Sequence, residues 1–117
     1  MAVYQVQPKD GGKAFGNVTL QSAAASGAGA GDTYSLPCMM SLLTWAVSYS
    51  GSPDGVSVTL GGSIDGVNFF TLDTTTNTAG EIRTLSTKAV NHIRSHVGTL
   101  SGGSSPMATV TAAGMRC

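Results

Sequence analysis

The chain reads as an all-β protein, an antiparallel β-sandwich or jelly roll of about seven or eight short strands. Three observations carry that expectation. Apolar and small polar residues alternate in several stretches, most plainly Leu43, Trp45, Val47 and Tyr49 against Thr44, Ala46, Ser48 and Ser50. That is the period-two pattern of a strand with one buried face. Clusters of Gly, Pro, Asn and Asp recur at short intervals, as turns between strands do. No stretch holds a helical period; Met39 to Ala46 comes nearest, and its alternation argues against it.

Taken in order, Val3-Tyr4-Gln5-Val6-Gln7 alternates, with Tyr4 and Val6 facing one way and the glutamines the other. Residues 1–12 are therefore an N-terminal arm or edge strand, and residues 13–117 a single sandwich domain. Asn17 to Gln21 is a strand with Val18 and Leu20 inward, and Gly16 is the natural place for a bulge that accommodates Phe15. Ser22 to Gly31, SAAASGAGAG, has nothing large to bury and reads as a flexible loop. Asp32 to Leu36 is a brief strand stopped by Pro37. Gly51 to Gly55 closes the Trp45 strand into a hairpin with Val56, Val58 and Leu60. Asp65-Gly66 supplies the φ > 0 position of the next turn, and Phe69, Phe70 and Leu72 return as its partner strand. Asp73 to Gly80 reads as a polar loop and Glu81 to Leu85 as a weak strand. Val90 to Val97 places Ile93 and Val97 on one face and His92, Arg94 and His96 on the other. Leu100 to Pro106 is a turn, and Met107 to Ala112 the last strand. The expected core anchors are Trp45, Val47, Val58, Leu60, Ile64, Phe69 and Ile93. Of the adjacent Phe69 and Phe70, one should be exposed.

Composition narrows the function classes. Of 117 residues only 10 % are charged, against about 25 % in ordinary soluble domains. Six basic and six acidic side chains cancel, so the basic excess that nucleic-acid binding requires is missing. Near-zero net charge also removes the repulsion that keeps small proteins apart, which favours self-association. The longest apolar-leaning run, Cys38 to Val47, is too short to span a bilayer, and the first twenty residues lack a secretory pattern. Cys38 and Cys117 have no metal-ligand spacing; they could pair if the terminus folds back near the Cys38 loop, but two free thiols are the expected state, because a domain of this size does not need a staple.

No catalytic constellation appears. His92 and His96 would share a metal on a helix, but on a strand they stand about 13 Å apart. They read as a polar row with Arg94 between them, facing solvent or a partner. Asp54 and Asp65 precede glycines, where an Asp side chain bonds its own turn; a calcium site from Asp65, Asn68 and Asp73 is imaginable but not needed. Neither an enzyme nor a cofactor is expected. A sugar platform would have a single exposed phenylalanine to offer.

Two resemblances add to this reading. Ser63, Asp65, Gly66 and Phe69, followed by Val90, His92, Ile93 and Arg94, resemble a strand pair of discoidin-like (factor 5/8 C-type) jelly rolls. Over a longer stretch, about Leu43 to Ala112, the chain resembles small Ser/Thr/Gly-rich virion proteins of tailed bacteriophages. The residues that carry this are Val56-x-Val58-x-Leu60-x-Gly62-Ser63-x-Asp65-Gly66, then a Thr-rich loop, Ile82-Arg83, and Thr99-Leu100-Ser101-Gly102-Gly103-Ser104-Ser105-Pro106.

This second resemblance implies a non-enzymatic structural protein on the capsid exterior, made in the host cytoplasm: a capsid decoration or cement protein. It would bind the major capsid protein and itself, as a trimer on such lattices, and neither nucleic acid nor membrane. A tail or neck component, or a surface glycan-binding module using Phe69 or Phe70 with Asn68 and Asp73, is the alternative. The interface candidates are Val3, Tyr4, Gln5, Val6, Gln7 and Lys9 in the arm, Ala28 and Gly29 in the loop, and His92, Arg94 and His96.

Overall fold

The computed structural model describes residues 14–86 and 88–115. Val3 to Gln7 and Lys9 lie outside the described residues. Nine strands follow in order: β1 (Ala14–Ala25), β2 (Gly29–Ala30), β3 (Tyr34–Met40), β4 (Leu42–Ser50), β5 (Gly55–Ser63), β6 (Phe70–Thr75), β7 (Glu81–Leu85), β8 (Val90–Ser101) and β9 (Met107–Met115). One sheet has the order β1-β9-β4-β7, and the other β2-β8-β5-β6 with β3 also pairing β8. Every pairing is antiparallel.

Counting β2 and β3 as two halves of one strand reveals the logic. β5 pairs β6 at the tip, β4 pairs β7, β2 and β3 pair β8, and β1 pairs β9. The chain is one long nested hairpin rolled into two layers, the jelly-roll topology. Apart from β5 and β6, which pair at the tip, successive strands thus alternate between layers. β4 and β5 lie in different sheets, so residues 51–54 form a crossover between layers and not the hairpin expected from the sequence.

The inner faces meet in one core. β4 supplies Leu43, Trp45 and Val47, β9 supplies Ala108, Val110 and Ala112, and β1 supplies Leu20 and Ala24. From the facing sheet come Val56, Val58 and Leu60 of β5, and Val90, Ile93, Val97 and Leu100 of β8, with Leu36 and Met40 of β3. Parity is restored at Gly98 in β8. Ser57 pairs Thr99 while Val58 pairs Val97, so Gly98 is an extra, bulged residue and both Val97 and Leu100 point inward.

Several expectations are corrected. Ile64 is 68 % exposed, because Ser63 turns inward to anchor the turn and ends the alternation there. Phe69 is only half-buried and packs outside the core, under Arg94. Ser22 to Ala25 extend β1, and Gly29–Ala30 form β2; the Ala/Gly stretch is a tight turn, closed by Ala28 N–H donating to the Ala25 carbonyl at 3.1 Å. Pro37 does not stop β3, since that strand is an edge strand pairing β8 only and its register slips between Ser35 and Met40, where a missing N–H is tolerated. Asp73 to Thr75 belong to β6, and Leu100 and Ser101 to β8. Cys38 is disulfide-bonded, not free. β9 ends beside the start of β4, where Met115 pairs Leu42, and Cys117 lies outside the described residues. The bulge near Gly16 is present as a register slip between Phe15 and Val18, with Asn17 at φ 53°.

Candidate interaction face

β8 is the central strand of its layer, so its outward residues form the middle of an exposed face. His92, Arg94 and His96 stand on that side, alternating with buried Ile93, Ser95 and Val97. Across the ladder Gly61 pairs Arg94 and Thr59 pairs His96. On the other flank Ala30 pairs His96 and Gly29 pairs Val97. The structure therefore joins two regions that the sequence left separate, the Ala28–Gly29 turn and the His92–Arg94–His96 row.

The polar residues behind this face fix its geometry. Ser95 is fully buried and donates to Gln21 Oε1 at 2.6 Å, while Gln21 Nε2 donates to the Gly29 carbonyl at 3.1 Å. Gly31 N–H donates to the Ser95 carbonyl at 2.9 Å. A Cβ at Gly31 would stand 2.3 Å from Gln21 Cγ, so glycine is required for β1, β2 and β8 to close around that glutamine.

On the β6 side the guanidinium of Arg94 lies 4.1 Å from the centre of the Phe69 ring, a cation–π contact. With Thr59, Gly61, Phe70, Thr71 and His96 they line a shallow groove of about 200 Å³. His92 turns away from it. Its Nδ1 is 2.6 Å from Asn91 Oδ1, and a Cβ at Gly66 would meet the far side of its ring at 3.1 Å.

The adjoining turn is built on Asp65. One of its carboxylate oxygens accepts from Ser63 Oγ, Val67 N and Asn68 N, each at 2.8 Å, and the other from Asn68 Nδ2 at 2.8 Å. Those bonds, led by the backbone of Asn68 and Val67, hold the carboxyl far below the usual carboxylate range. Asp73 points the other way, accepting from Trp45 Nε1 at 3.0 Å and Arg83 Nε at 2.7 Å. Of the three residues imagined for calcium, Asp65 and Asn68 are thus bonded to each other, and Asp73 is bonded to Trp45 and Arg83. Among the described residues no group of three or more His, Cys, Asp or Glu side chains could hold a metal ion.

What the sequence did not disclose is the apolar rim. Ile64, Val67 and Phe70 are exposed at 68 %, 77 % and 71 %, the first two on the β5–β6 connection and Phe70 at the start of β6. Their spacing of three around Asp65-Gly66 is a usable signal, because it breaks the period of two just where the strand ends.

The fold and face together define a jelly-roll sandwich with a neutral, partly aromatic outer surface. The chain is similar to the SPBc2 prophage-derived protein YomS, known from a crystal structure, with a TM-score of 0.62 and 14 % sequence identity over 95 % of this chain and 99 % of that one. At that identity the likeness shows the fold alone. No protein-family model matches the chain, and no curated protein matches it in sequence.

Proposed function

We propose that the chain is a non-enzymatic structural component of a tailed-phage virion, specifically a cement protein that self-associates and bridges major capsid subunits on the shell exterior. The observation that carries this reading is the shared jelly roll with a prophage-derived protein along almost the full length of both chains. The neutral surface and the exposed apolar rim support it, since both suit contact with other proteins more than contact with a charged polymer. The mechanism is mass action: a protein that binds the assembled shell and not its dissociated subunits stabilises the shell by its binding free energy.

The test is reconstitution. Purified shells lacking the protein are incubated with the full chain and with a chain lacking residues 1–8, and bound copies are quantified. The full chain should saturate the shell, and the shortened chain should fold but not bind. Equal occupancy by both would remove the arm from the mechanism, and no binding by either would remove the shell.

A second reading rests on the groove lined by Phe69, Phe70, Arg94 and His96. An exposed ring beside hydroxyl and guanidinium donors suits a sugar face and its hydroxyls. Specific hits on a glycan array, lost in Phe70→Ala, would favour it, and a blank array would retire it.

A further inference from the structure

The apolar rim is more than scattered exposure. Ile64 and Phe70 join Gly62, Leu72, Ala89 and Val90 around a groove of about 400 Å³ at one end of the sandwich. β6, which forms one wall, is an edge strand with β5 as its ladder partner, so its outer backbone donors and acceptors offer a template for an added strand. An apolar groove along an open edge takes an extended segment whose side chains alternate, one apolar row turned in.

The chain carries such a segment, and the register shows where it starts. Val90, in the groove, pairs Met40; two residues on, Leu42 pairs Met115, and Met115 pairs Ala14. The first described residue therefore stands at the same end of the sandwich as the groove. Thirteen residues precede it, among them Val3-Tyr4-Gln5-Val6-Gln7, with Tyr4 and Val6 on one side.

We infer that the groove between the β5–β6 turn and the β7–β8 connection receives the Val3–Gln7 segment of a second copy, which adds to β6 and places Tyr4 and Val6 against Phe70 and Leu72. This rests on the reading of the chain as a self-associating structural protein, and it names the surface that does the associating. Reach decides between the molecule's own arm and a neighbour's. β1 and β6 occupy opposite ends of the two strand orders, with β1 against β3 and β6 against β7. Three strand spacings and one sheet spacing make that diagonal about 17 Å. The tether, Pro8 to Lys13, spans at most about 20 Å fully extended, and its Pro-Lys-Asp-Gly-Gly sequence favours a turn that shortens it. A path around the end of the domain to its own groove leaves no slack, whereas a neighbour's groove carries no such constraint. Arm-into-groove contacts run head to tail, and such contacts close into a ring when the rotation between copies allows.

The experiment uses the full chain without any shell, so its failure leaves the capsid reading to its own test. Tyr4 is replaced by a photo-crosslinking benzoylphenylalanine, light and ¹⁵N-labelled chains are mixed, and crosslinked peptides are identified by mass spectrometry. Crosslinks from residue 4 to residues 62–72 or 88–90, joining light to heavy chains, are expected. Phe70→Ser and Ile64→Ser, both on exposed positions, should fold with unchanged melting temperature and weaken self-association at least tenfold in sedimentation. Crosslinks confined to single chains, crosslinks to other surfaces, or self-association undiminished in Phe70→Ser would each overturn the assignment.

Discussion

Asp73 is one of the side chains through which the two layers touch by polar contact at their β6–β7 edge. It sits on β6, while its donors Trp45 and Arg83 sit on β4 and β7 of the other sheet. Burial pushes its carboxyl up, but hydrogen bonds from Arg83, Trp45 and Thr74 outweigh that and hold it below the ordinary carboxylate range. Beside it Thr75 donates to Glu81, lowering that carboxyl too. The sign follows. A carboxyl with a folded-state pKa below its unfolded one stabilises the fold above the unfolded value, near 4, and loses that contribution as pH falls through the folded value. Denaturant midpoints should stay level from neutral pH to about pH 5 and fall below about pH 4. Asp73→Asn should start lower and show a smaller acid drop; an unchanged acid profile would contradict this role. Trp45, 1 % exposed, adds a second test. Trp45→Phe removes the indole donor and leaves Asp73 with one partner fewer inside the edge, at about 2 kcal/mol, read from urea unfolding.

The elements are held at their far end by two turns that interlock. Asp54 N–H donates to the Ser101 carbonyl and Ser104 N–H to the Gly51 carbonyl, both at 2.8 Å. Gly103 has φ 58°, and a Cβ there would meet the Gly51 carbonyl oxygen at 1.9 Å. Gly103→Ala must therefore open the clasp between the β4–β5 crossover and the β8–β9 turn. A loss of about 2 kcal/mol is expected, measured against Gly27→Ala, where a Cβ meets nothing within 4 Å although φ is also positive; equal losses would show that conformation alone, not the clasp, sets the cost. Of these elements the sequence disclosed those whose inward residues are large and alternating. β4, β5, the first half of β8, and β9 announced themselves through Trp45, Val58, Ile93 and Val110. β2 and the end of β1 did not, because Ala and Gly carry no readable period; only Gln21 and Ser95, apart in sequence and joined in space, betray what closes there. β6 was half hidden because Asp73 and Thr75 face inward as polar residues, partnered by a neighbouring layer that no local pattern could supply. Ile64 was misplaced for the opposite reason: its parity was right for a strand that had already ended at Ser63. The interaction face was half legible. The alternation of β8 marked His92, Arg94 and His96, but the β5 and β6 residues beside them came from pairing.

At the scale of the molecule, a single sandwich must stay soluble at zero formal charge while leaving Ile64, Val67 and Phe70 in water. Under the proposed function, cover from another protein surface resolves that tension, in two stages of self-association and shell binding. The groove and the outer face of β8 adjoin at Phe70, which lines both, and under the proposed function they are the surfaces offered to a sister copy and to a capsid subunit. The most direct measurement is the number of copies per purified virion, by quantitative mass spectrometry against the major capsid protein. The account predicts hundreds of copies in a fixed ratio to the shell subunits. A handful or a dozen copies per particle, as at a neck or tail tip, or none at all, would contradict it.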